Sequence, residues 1–166
     1  MIYDELVTDP TFPPLLTGEK LAKDVDPFIK AVSVSMIGCD PGVVFYAEDS
    51  STLKAAITLA PEVPLKNSIS VTHALMLSAA DSLGALGPPE LAVHFVWPSQ
   101  FKINAAYCGE LQFKASTTDP ETVPDWIVVG ISIPFVRPEA VEPGSDPSRT
   151  WLHEEGCIEL TIPQAI

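Results

Sequence analysis

Three histidines, three cysteines and nine basic residues are the groups from which this chain would have to assemble a catalytic or metal site. His73, His94 and His153 lie in three distant segments, and His153-Glu154-Glu155 does not have the H-E-x-x-H spacing that sets two imidazoles on one helical face. Cys39, Cys108 and Cys157 are odd in number and far apart, with no C-x-x-C pair, which reads as reduced, buried thiols rather than a disulfide frame or a metal clip. No G-x-S-x-G elbow, G-x-G-x-x-G turn or Walker loop is present. Gly109 and Gly130 stand in segments of strand-forming residues, and glycine on neighbouring strands lets a ligand lie against the backbone. Strand packing or a bulge explains the same glycines equally well, and both readings stand at this point. Lys102 alternates with Phe101 and Ile103, which turns it toward solvent.

Charge narrows the choice of partner. The 166 residues carry a net charge of −13, and no basic residue lies between Lys66 and Lys102. A nucleic-acid backbone needs clustered Lys and Arg to displace its counterions, so nucleic acid is excluded as a partner. Hydrophobic residues make up 46% of the chain and charged residues 19%, with no run near the roughly 20 apolar residues that cross a bilayer, so no membrane association is expected. Asp4 stands where a secretory signal would be positive, and no apolar stretch follows it. Together with the reduced thiols, this leads to the expectation of a soluble cytoplasmic protein.

The elements that must carry these residues follow from periodicity. Residues 1–25, with Pro10, Pro13 and Pro14, read as an extended N-terminal arm, and residues 26–166 as one domain. Asp26-Pro27 supplies an N-cap and a first-turn proline, and Gly38 a stop, which predicts a helix over 27–37 with Phe28, Ala31, Val32 and Ser35 on one face. Val43 to Tyr46 and Lys54 to Leu59 predict a hairpin. Val71, Leu75, Ala79 and Leu83 recur every four residues, and Gly84 and Gly87 close the longest helix. Strands follow around residues 91–97, 101–104, 107–115 and 126–136, then a proline-rich loop over 137–149 and a last edge strand over 157–162. An exposed edge of such a sheet could pair across a two-fold axis to form a homodimer.

Four segments in order carry a resemblance. Ala55-Ala-Ile-Thr-Leu-Ala-Pro-Glu-Val-Pro-Leu65 precedes a helix; then come Ala92-Val-His-Phe-Val-Trp-Pro98, Phe101-Lys-Ile-Asn-Ala-Ala-Tyr-Cys-Gly-Glu-Leu111 and Trp126-Ile-Val-Val-Gly-Ile-Ser-Ile133. The succession resembles the catalytic domain of biotin and lipoate protein ligases, where a K-W-P-N-D strand, a G-x-K hairpin and a V-G-I-G-I-N strand follow one another. The resemblance spans about residues 26–158, and it implies that the surviving frame of the family's pocket, Trp97, Pro98, Cys108, Gly109, Gly130 and Ser132, is the candidate ligand-binding set. It implies an α+β fold of the class II synthetase and biotin protein ligase type, with a mixed, mostly antiparallel sheet and helices packed mainly on one side.

The resemblance also shows what is missing. Such ligases join a carboxylate to the α-phosphate of ATP and then pass the acyl group to a lysine of a carrier domain, and cations must sit where the two anions meet. In the family these come from a G-R-G-R-x-G-R loop and the hairpin lysine. Here the loop region reads Ala47-Glu-Asp-Ser-Ser-Thr-Leu-Lys54, and Ala105 and Ala106 stand in the hairpin positions. Val96 replaces the lysine before Trp-Pro, Ser99-Gln100 replace Asn-Asp, Ser132 replaces the second glycine and Pro134 the asparagine. Three functions follow as expectations. One is a member without ordinary ATP-dependent ligation and with no cofactor, binding a small acyl or biotin-like ligand and acting on a carrier domain. The second is a divergent ligase or acyltransferase that uses a pre-activated donor, with Cys108 or Lys102 as nucleophile. The third is an interaction domain with no ligand.

Overall fold

The structure, a computed structural model, describes residues 9–47 and 51–166. Its strands are β1 (Thr17–Leu21), β2 (Val43–Ala47), β3 (Thr52–Leu59), β4 (Val93–Val96), β5 (Gln100–Ile103), β6 (Ala106–Ala115) and β7 (Ile127–Pro134). They form a seven-stranded sheet in the order β1-β2-β3-β7-β6-β5-β4, parallel at β1–β2 and antiparallel elsewhere. The helices are α1 (Pro27–Met36), α2 (Leu65–Ser68), α3 (Val71–Leu86) and α4 (Ile162–Ala165). This is the mixed, mostly antiparallel α+β sheet expected.

Sequence features account for most of these elements. The Asp26 side chain accepts a hydrogen bond from the Ile29 amide at 3.0 Å, satisfying one of the free donors at the start of α1, and Gly38, at φ +97°, ends that helix as predicted. Hydrogen-bonded neighbours share a sheet face, so Ala56 and Gly130 lie on one face and Ala55 and Ile131 on the other. On the first face Phe28, Ala31 and Val32 of α1 pack over Phe45, Ala56 and Val128. On the second, Leu75, Met76, Ala79 and Leu83 of α3 pack with Leu53, Ile131, Ile133 and Phe135. A Cβ at Gly130 would stand 2.8 Å from Cδ2 of Phe28, so the glycine is what lets α1 lie directly on β7.

Three segments differ from the sequence reading. Thr17–Leu21, read as part of a free arm, is extended but hydrogen-bonded into the sheet as its parallel edge, a pairing that no local pattern announces. The edge strand expected over 157–162 is absent: Leu152–Glu155 forms a 3-10 turn, and Thr161 caps the short helix α4 with Gln164 in a capping box. Leu65–Leu86 forms a helical stretch of 22 residues containing an 18-residue window of mean hydropathy 1.3, long and apolar enough by length and composition alone to meet a bilayer span, which the sequence reading did not count. Gly84 lies inside α3, and Gly87 alone caps it.

The β5–β6 hairpin turns through Asn104 and Ala105, both with positive φ (47° and 76°), as a two-residue turn of type I′ requires. Asn104 suits that region, and its side chain accepts from the Ala92 amide at 3.0 Å and donates to Glu155 at 2.6 Å. Ala105 has a Cβ that crowds the backbone there. Beyond the turn, Cys108 and Gly109 together oppose Phe101, a bulge made possible by Gly109 at φ +127°. The bulge turns Cys108 into the core at 1% exposure, where burial first, then Glu155 and Cys157, pushes its thiol up to about 12.

Two predictions follow from this hairpin. Ala105→Gly relieves the left-handed strain and raises unfolding free energy by about 1 kcal/mol, read from urea denaturation. The Cys108 thiol is raised above its ordinary 9.0, so the folded state holds the proton more tightly than the unfolded chain. Its contribution is therefore fully present below pH 9.0 and is lost as pH climbs toward about 12. Urea midpoints measured across that window should fall less steeply for Cys108→Ala than for the parent; parallel curves would refute the assignment.

Candidate functional site

Because α1 covers β2, β3 and β7 only, the remaining half of its sheet face lies open. Following the register outward from Lys54, that face presents Ser132, then Glu110 and Gln112 of β6, then Gln100 of β5. Two adjoining hollows sit on it. One, of about 190 Å³, is lined by Asp26, Pro27 and Phe28 at the start of α1 and by Lys54, Glu110, Gln112 and Ser132 of the sheet. The other, of about 310 Å³, is lined by Gln100, Tyr107, Gly109, Glu110, Ser132 and residues of the proline-rich loop. Glu110 and Ser132 belong to both.

The proline-rich loop forms one wall because the backbone ties it to β6. Tyr107 donates its amide to Ser148 O at 2.7 Å, and Thr150 donates its amide to Tyr107 O at 2.9 Å, so Arg149 forms a parallel bridge with Tyr107. Glu155 accepts from the Thr150 hydroxyl and from Asn104, and Arg137 donates from Nε to Glu154 at 2.5 Å and from Nη1 to Val141 O. These contacts fasten both ends of the loop. Lys102 Nζ lies 4.5 Å from the centroid of the Tyr107 ring, a cation–π contact that occupies its ammonium group.

The six candidate residues separate. Gly109 and Ser132 line the hollows, and a Cβ at Gly109 would come within 2.7 Å of Ser132 O, so glycine is needed where the two strands close. Gly130 lies under Phe28 and serves packing. Cys108 is in the core behind the bulge and lines neither hollow. Trp97 and Pro98, joined by a cis peptide bond, lie beyond β4, where the Trp97 ring, 77% exposed, stacks on His73 of α3 at 5.5 Å. The sequence pattern placed them with the glycines because Trp-Pro precedes the hairpin, yet the strand alternation carries Trp97 to the opposite face.

Sequence reasoning missed Arg149 and undervalued Lys54. Both line the open face, so the cavity is not without cations as expected. Arg149 was hidden because only the tertiary bridge to Tyr107 brings its loop here. The formal charges lining the two hollows are Lys54 and Arg149 against Asp26 and Glu110, a balance of zero. Glu48, Asp49 and Ser50, in the region that would hold an arginine-rich loop, lie outside the described residues. Among the described residues no group of three or more His, Cys, Asp or Glu side chains is placed to hold a metal ion.

The whole chain from residue 12 to residue 166 matches the Biotin/lipoate A/B protein ligase family. Among solved structures, a biotin protein ligase-like protein of unknown function from Silicibacter sp. TM1040 is 43% identical, with a TM-score of 0.85, covering 94% of this chain and 67% of that one. The apo biotin protein ligase of Aquifex aeolicus shares the fold at 18% identity and a TM-score of 0.63, over 85% of this chain and 60% of that one. A mutant of the Aquifex aeolicus enzyme in complex with biotin gives 16% identity and a TM-score of 0.66, over 91% and 65%. The chain thus spans about two thirds of the length of these proteins. No curated protein sequence matches. A family match over nearly the full chain, joined to the sheet order and the open face described above, makes this chain a member of the biotin/lipoate A/B protein ligase family.

Proposed function

We propose that this chain binds a small carboxylic acid of the acyl or biotin-like class on the open sheet face and does not activate it with ATP in the ordinary way. The observation that carries the reading is the charge balance of the lining, Lys54 and Arg149 set against Asp26 and Glu110. A single carboxylate needs one or two cationic donors, each charge-assisted hydrogen bond contributing about 1.5–3 kcal/mol. Adenylation demands far more, because a polyphosphate and a carboxylate must be held together while negative charge is moved between them. With no net positive charge among the residues lining the two hollows, the monoanion is the ligand they suit.

The polar lining also bears on ligand shape. Glu110, Gln112 and Ser132 project from adjacent strands beside Gly109, so a ligand lying on the sheet meets hydrogen-bonding groups along its length. A head group with its own donors, such as a cyclic urea or amide, satisfies them better than a bare alkyl chain. The ligase ancestry of the family makes a carrier domain the natural partner for such a binding module. A pre-activated acyl donor with Cys108 as nucleophile is disfavoured, because that thiol is buried and its pKa is raised to about 12.

Isothermal titration with biotin, lipoate and octanoate, each with and without ATP, tests the reading. At least one acid should bind without nucleotide, and Lys54→Gln or Arg149→Gln should weaken it by about tenfold or more. Binding that requires ATP, or that survives both substitutions, would refute it.

A further inference from the structure

A second cavity lies on the opposite face of the sheet, between β3, β7 and α3. It is half open, with a volume of about 260 Å³, and Phe12, Pro13 and Leu16, ahead of β1, form a further wall. The gap follows from residue size. Leu75 and Leu83 of α3 reach the strands at Leu53 and Ile131, but between them α3 presents only Ser78, Ala79 and Ser82 and the strand offers Ala55, so the layers are spanned there by small side chains. No charged residue lines the cavity, and the Ser78 hydroxyl is already committed to Ala74 O at 2.9 Å. Water would find few partners there, and apolar cavities of this kind take up hydrocarbon.

The cavity is not closed at its end. Phe135 and Ile166 line it and also line a second hollow of about 470 Å³, whose wall carries Lys20, Lys23, Asp9, Tyr46 and His153. An apolar slot that opens past two hydrophobic residues onto a polar, ionisable rim has the form of a site for an amphiphile. We propose that this cavity binds a molecule with a single aliphatic chain, its tail between α3 and the sheet and its polar head at the rim beyond Phe135 and Ile166. The site shares no side chain of the charged set on the open face, and it stands or falls independently of the carboxylate site proposed there.

Isothermal titration and native mass spectrometry of the full chain with butanol, hexanol and octanol, none of which carries a carboxylate for the open face, test this. One molecule should bind per chain, with affinity rising by about fourfold for each added methylene while the tail fits. Ala79→Leu fills the slot and should weaken octanol binding by about tenfold or more while leaving the folded circular-dichroism spectrum unchanged. Ser82→Leu blocks the same slot, and the result is read from it if Ala79→Leu does not fold. Leu77→Ala, on the outer side of α3, and Lys54→Gln should leave octanol binding as it was. Absence of saturable binding, affinity indifferent to chain length, or octanol binding lost in Leu77→Ala but kept in the slot-filling variants would overturn the proposal.

Discussion

The contact between Phe28 and Gly130 sets the layout of the molecule. With no side chain at position 130, α1 settles directly on β7, and its N-terminus comes to rest beside Lys54 and Ser132. A methyl group there would lift the helix from the sheet. The helix therefore covers β2, β3 and β7, and the outer half of the same face is left bare for Glu110, Gln112 and Gln100. Packing on one side of the strand order and exposure on the other are consequences of a single close approach.

A second backbone feature divides the chemistry between the two faces. The bulge at Gly109 changes the alternation of β6, so that Cys108 enters the core while Glu110 and Gln112 stay on the open face. Without it, strict alternation would put Cys108 on the same face as Glu110 and Gln112. The loop that follows β7 is then drawn across by Tyr107, Thr150 and Glu155 and delivers Arg149 to the rim. Charge in the two hollows is thus assembled from four distant segments, those of Asp26, Lys54, Glu110 and Arg149, and its balance depends on their being fastened together.

Much of this was legible in the sequence, and the reasons for the rest are physical. Asp26-Pro27 and Gly38 announced α1 because caps are local, and the four-residue recurrence in α3 and the apolar, β-rich runs of β3 and β7 are direct imprints of burial. The hairpin expected around Asn104-Ala105-Ala106 turns at Asn104-Ala105, though Ala105 gives no hint of the positive φ it adopts. Long-range pairing left no local mark: β1 joins the sheet by parallel bonds to β2, and a turn and the start of α4 stand where an edge strand was expected over 157–162. At the site, glycine identity pointed correctly to Gly109, but the same reasoning grouped it with Gly130 and Trp97, which serve packing and a surface stack with His73. Arg149 could not be seen at all, since its place is decided by the bridge to Tyr107.

The account rests on two hollows whose lining cations, Lys54 and Arg149, are matched by the acids Asp26 and Glu110, a lining suited to one carboxylate and unsuited to joining it to a nucleotide. Carboxylate-dependent exchange of labelled pyrophosphate into ATP measures that joining step alone, with biotin, lipoate or octanoate as the acid. The account predicts no exchange above background with any of the three. Exchange that depends on the acid and disappears in Lys54→Gln or Arg149→Gln would contradict it, because those two side chains would then be supporting the activation that a lining of zero net charge forbids.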